Sequence, residues 1–225
     1  MAAITPTDLL LLAHVVLFVY WLGSDVAVLY GASFAANPKL SGETRQTVSE
    51  IMAFVDLFPR LSVPLVGMTG YAIASARGLI VAPMIADVLV YCAGALWFAN
   101  NLTIHALRKQ PARIKQLRRL DLALRIAVML AAAGAAGVAL SGGDVIPDHS
   151  IAAKVLVFAF AIGFSLALRF VFAPYRPALN RILASGSTPE DEAIMSRALS
   201  TGRPIVLGIW ACTLIAAAIG LWHPF

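Results

Sequence analysis

The feature that most constrains this chain is the recurrence of apolar stretches long enough to cross a lipid bilayer. They lie near 8–33, 61–80, 83–105, 122–141, 150–173 and 204–223, and a hydrocarbon core takes about 20 helical residues per crossing. Only 13% of the residues are charged and the mean hydropathy is +0.83, whereas water-soluble domains carry roughly 25% charged residues. Such a chain has no polar coat with which to face water. Barrel strands would be shorter and would alternate in polarity, and no segment alternates over the right length. Helices satisfy their own backbone polar groups in lipid. The expected fold class is therefore all-α: a polytopic membrane helical bundle, one domain over 1–225, with six transmembrane helices in three hairpins joined by amphipathic inner connections.

Charge sets the expected orientation. Of the 17 Lys and Arg residues, three lie between 34 and 60, seven between 106 and 125 and five between 169 and 203, all in connections after odd-numbered spans. Only Arg77 and Lys154 lie toward the other side. Cytoplasmic loops collect Lys and Arg, so both termini are expected on the outer side of a bacterial-type cytoplasmic (inner) membrane. The pI near 9.6 then records topology and contact with anionic lipid rather than nucleic-acid binding. The N-terminal "MAAITPTDLLLL" lacks the basic region and cleavage site of a signal peptide, so the first span is expected to be retained, capped by Thr7 or Asp8. Cys92 and Cys212 fall inside apolar spans and read as packing residues.

The inner connections resemble one another. "DLFPRLSVPL" and "DLALRIAVML" superimpose with Asp56/Arg60 on Asp121/Arg125 at a spacing of four, and Arg203 stands at the corresponding place in the third hairpin. The pattern reads either as an internal repeat or as the shared outcome of basic inner helix ends. Small residues at Gly67 and Gly70, in "AAAGAAG" and at Gly208, Ala211 and Cys212 predict close helix packing.

Against this apolar background the titratable residues stand out. His14, Phe18, Trp21 and Asp25 are spaced to share one face of the first helix, and ionisable groups in membrane spans tend to face the bundle interior and mark sites. His14 lies about 9 Å from the outer end and Asp25 roughly 16 Å beyond it. Two readings of His14 stay open: a haem ligand or proton-handling group, and a packed, hydrogen-bonded side chain. Asp25 is expected to be neutralised by Arg169. Lys154 is placed near the level of His14, where it is either functional or snorkels to the headgroups. Asp87, at a similar level, is a partner for Lys154 or Arg77. Trp97, Asn101 and His105 share a face. One histidine on the inner side and three on the outer, His14, His149 and His223, suit a single haem near the outer face, with His223 as second ligand. No Walker loop, Rossmann glycine pattern, zinc-spaced Cys/His cluster or Ser/His/Asp arrangement is visible.

The motifs His14-x6-Trp21-x-Gly23, "RLSVPLVGMTG" (Arg60, Pro64, Thr69, Gly70), "AAKVLVFAF" with Lys154, and "RPIVLGIW…HPF" resemble the HemJ-type protoporphyrinogen oxidases and their relatives, the CopD-like copper-resistance membrane proteins. The resemblance covers the first, second, fifth and sixth spans, with 81–148 as an added hairpin and without the family's asparagine before the last helix's proline. It implies haem b held by His14, with Lys154 needed for activity. The resulting expectation is a haem-b-binding redox protein in which His14 and His223 are metal ligands. Trp21, Lys154 and Arg60 complete the cofactor site, Lys154 and Asp25 take the catalytic roles, and quinone or a porphyrin is the partner. A copper or small-solute transporter using His14, Met68 and a cysteine, and an accessory subunit of a membrane complex or homo-oligomer, are the alternatives.

Overall fold

The computed structural model describes residues 4–108 and 110–222. Among them run eight helices: α1 (Pro6–Ala35), α2 (Gly42–Val55), α3 (Leu57–Ala76), α4 (Met84–Ala106), α5 (Pro111–Leu140), α6 (His149–Val171), α7 (Tyr175–Ser185) and α8 (Pro189–Trp222). Six helical segments, with α2 continued by α3 and α6 by α7, are long and apolar enough to cross a membrane. The chain is a multi-pass, all-helical membrane protein, and the six-span expectation holds.

The helix starts follow local chemistry. Thr5 caps α1: its side chain accepts from the Asp8 amide while the Asp8 carboxylate accepts from the Thr5 amide, with Pro6 in the first turn. The cap is thus Thr5, with Asp8 as its reciprocal partner, rather than Thr7 or Asp8 alone. Asp148 caps α6 by accepting from the amides of Ser150 at 2.7 Å and Ile151 at 3.2 Å.

The three connections at the basic end differ more than the sequence suggested. α2 stops at Val55 because Pro59 can neither donate to the Val55 carbonyl nor clear it sterically; in the first turn of α3, where amides lack partners anyway, the same proline is harmless. The second connection has no such break. Pro111 sits at the start of α5, and the amphipathic segment continues straight into the span. In the third, α7 is separate and α8 runs 34 residues through Pro204.

Consecutive spans pack side by side, α1 on α3, α3 on α4, α4 on α5, α5 on α6 and α6 on α8, and α8 returns to α1 to close the ring. At its centre Trp21, Val63, Trp97, Ala161, Ile162, Leu166 and Ile209 form one core, with Leu122, Val128 and Met129 of α5 packed on it. Close approach is visible at Gly208, where a Cβ would lie 3.0 Å from the Phe164 ring. Gly134 and Gly137, expected to pack, have nothing within 4 Å of an added Cβ; in that small-residue stretch it is Ala136 and Ala139 that are buried.

A second cluster closes the basic end. Ala35, Tyr175, Ala178, Leu179, Ile182 and Met195 pack around Arg45, which is 1% exposed. Its guanidinium donates to the Ala35 carbonyl at 2.8 Å and to both Glu192 oxygens, at 2.6 and 3.0 Å. This bidentate pair fastens α2 to α8 and satisfies a carbonyl at the end of α1.

Candidate functional site

His14 occupies the α1–α3 contact in the half of the membrane away from the basic end. Its Nδ1 lies 2.9 Å from Thr69 Oγ1. Thr69 has one hydroxyl hydrogen, and its oxygen also lies 2.8 Å from the Leu65 carbonyl and 3.3 Å from that of Val66. With its hydrogen on the Leu65 side the hydroxyl accepts from Nδ1–H, and with its hydrogen on the imidazole side Nδ1 is the acceptor; either way the contact fixes the ring orientation. Gly70 makes the placement possible, since a Cβ there would come within 3.1 Å of the imidazole Cε1.

Lys154 belongs to the same half. Its Nζ rests against α8, 2.7 Å from where a Cβ on Gly220 would stand, and its charge is among those acting on His14. The structure thus brings His14, Thr69, Gly70 and Lys154 to one level from α1, α3 and α6, beside the last turns of α8. Its sequence-expected companion His223 lies outside the described residues.

The remaining candidates are elsewhere. Trp21, two turns along α1, is buried in the central core and meets Phe158 edge to face at 6.2 Å. Arg60 is at the opposite end of α3, about 14 Å from the level of Thr69, and donates to Asp56 at 2.6 Å; it is not brought to His14. Asp25 falls in that same half, within electrostatic reach of Asp56 and Arg60. Its expected partner Arg169 donates instead to Asp121 at 2.6 Å, so the Asp25–Arg169 pair is corrected. Depth alone matched those two residues; Arg169 is turned toward α5, where it donates to Asp121 and to the Arg118 carbonyl. Asp87 accepts from the Tyr71 hydroxyl at 2.6 Å. His105 lies 3.4 Å from Arg108 and against Phe54, and His149 opens α6.

The most extensive polar network in the span region went unforeseen. Asp121, 3% exposed, accepts from Trp97 Nε1 at 3.1 Å, Arg125 Nε at 3.1 Å and Arg169 at 2.6 Å. Arg125 also donates to Ser165 at 3.1 Å and lies over the Trp97 ring at 5.2 Å. The arrangement ties α4, α5 and α6 together across the basic half of the core. One signal pointed to it: Asp121 is the only acid between 106 and 125, among seven Lys and Arg.

Two cavities lie toward the basic end. One, of about 270 Å³, lies between α1 and α8 beside Tyr30, Arg203 and Trp210. The other, of about 340 Å³, lies between the start of α5 and α7, beside the turns that follow α4 and α6. Among the described residues no group of three or more His, Cys, Asp or Glu side chains is placed to hold a metal ion. A haem needs only one or two axial donors, and His14 offers an imidazole whose orientation the Thr69 hydroxyl sets. The fold and this site define a polytopic helical membrane protein with an oriented intramembrane histidine. No family model, curated protein or solved structure matches the chain.

Proposed function

We propose that the chain is an integral membrane haem-b-binding redox protein of the bacterial cytoplasmic membrane, with both termini outside. It acts as an electron-transferring oxidoreductase or as a subunit of one, with quinone or a porphyrin as partner. The supporting observation is an imidazole inside the spans whose Nδ1 is held by Thr69 Oγ1 at 2.9 Å, the kind of orienting hydrogen bond that ligating histidines carry. Haem b, when bound, supplies a one-electron couple whose potential follows its axial ligands and the surrounding charge.

The chain's own contributions follow from position. Thr69 fixes the imidazole plane, and Gly70 gives it room against α3. Lys154 puts a cation at the same level, suited to the carboxylates such a group carries. His223 is the second ligand in this reading. Trp21 and Phe158 close the core below His14 and keep water from following a charge inward. Asp25 and Arg60, in the other half, take no part in holding the group.

The test is the visible spectrum and pyridine haemochrome of protein purified in mild detergent. A Soret band is expected in the wild type and is absent from His14→Ala. Thr69→Val, which keeps the ligand but removes its orienting partner, lowers haem retention about 10- to 100-fold, and Thr69→Ser restores it. A wild-type protein without a Soret band, or a His14→Ala variant that keeps it in full, ends the proposal.

A further inference from the structure

The cavity of about 340 Å³ between the start of α5 and α7 is framed by three guanidinium groups, Arg108 from the turn after α4, Arg118 of α5 and Arg176 of α7, with Ile114, Ala173, Pro177 and Asn180 in its wall. No acidic residue lines it. The ion pairs among the described residues engage Arg45, Arg60, Arg125, Arg169 and Arg181, and none of the three cavity arginines. The acid nearest to Arg118 along α5 is Asp121, one turn on, and Arg125 and Arg169 already occupy it. Arg118 instead stands in the field of Arg176, Arg169 and Arg60. Three elements therefore direct positive charge at one concavity without a carboxylate to balance it.

Its level in the fold narrows the choice of ligand. α4 ends at Ala106 and α6 at Val171, so the cavity sits where two spans leave the hydrocarbon, at headgroup depth. Its wall is mixed: Ile114, 2% exposed, forms an apolar surface beneath the arginines. Guanidinium groups recognise phosphate through paired N–H donors, and basic pockets between membrane helices take anionic headgroups. We propose that this cavity binds the phosphate of an anionic phospholipid headgroup, with Arg108, Arg118 and Arg176 as its donors. The site is independent of His14 and of haem.

The test compares dihexanoyl phosphatidylglycerol, dihexanoyl phosphatidylcholine and inorganic phosphate, added to the full-length protein in neutral detergent, with binding read by native mass spectrometry and by thermal shift. The phosphatidylglycerol is expected to bind saturably and about tenfold more tightly than the phosphatidylcholine. Arg118→Gln with Arg176→Gln reduces that affinity on the order of tenfold or more. Arg113→Gln with Lys115→Gln removes the same charge from the same helix outside the cavity and leaves it unchanged. Arg108→Gln, at the exposed end of α4, gives a smaller loss in the same direction and serves if the double variant does not accumulate. Inorganic phosphate binding as tightly as the lipid, with the same arginine dependence, keeps the phosphate site and replaces its source by a soluble anion. Equal binding of the two lipids, or equal losses in the cavity and control variants, overturns the proposal.

Discussion

Asp56–Arg60 and Asp121–Arg125 are one local arrangement in two surroundings. In each, a carboxylate stands four residues before a guanidinium at the basic end of a span, and in each the two side chains meet. The first pair is open, with side chains 33% and 49% exposed; in the second they are 4% and 9% exposed. Asp56 sits at the break between α2 and α3, and among the described residues its oxygens serve Arg60 alone. Asp121 lies on the unbroken α5 and is met by Trp97 from α4 and Arg169 from α6. The contrast teaches that spacing decides whether a pair forms, while the neighbouring helices decide what it is worth. An exposed pair at this spacing contributes about 0.3–0.5 kcal/mol. Breaking a buried one costs about 3–5 kcal/mol, because the surviving charges have no water to return to.

The sharpest way to break the comparison is to remove each carboxylate in turn and measure reversible unfolding in mixed micelles. Asp121→Ala is expected to destabilise by about 3–5 kcal/mol, stranding Arg125 and Arg169. Equal effects at Asp56 and Asp121 would mean that burial does not separate the two pairs. Trp97→Phe keeps the ring under Arg125 and removes only the indole donor to Asp121, so a loss of about 1 kcal/mol is expected. A double-mutant cycle with Asp121→Asn should show that the two losses are not additive. The smallest effect belongs to Asp56→Ala, below about 0.5 kcal/mol, and raised salt should erase it while leaving the Asp121 contribution largely in place.

The same contrast explains how far the site could be read in advance. His14 and Lys154 stood out as ionisable residues in apolar stretches, and the structure places them at one level. Thr69 carried no such signal of its own, being an ordinary residue in a small-residue helix; its meaning comes from facing a histidine 55 positions earlier. Arg169 was matched to Asp25 by depth along the membrane normal. Depth is a single coordinate, and rotation about the helix axes gave Arg169 to Asp121. Arg45, buried deep in the cap at the basic end, looked like one more inner-side positive charge until α8 supplied Glu192.

By itself the sequence determined the number of spans, their helical nature, the end at which basic residues gather and the two i,i+4 pairs. All of these follow from hydropathy, backbone saturation in lipid and contacts within one helix. The tertiary structure alone decided the Thr69 partner of His14, the partner of Arg169, the convergence of three arginines on one cavity and the unequal worth of the paired aspartates. These depend on how one helix is turned toward another. A shift of one residue turns a side chain by about 100° and so exchanges a buried partner for lipid, while leaving the hydropathy of the span almost unchanged.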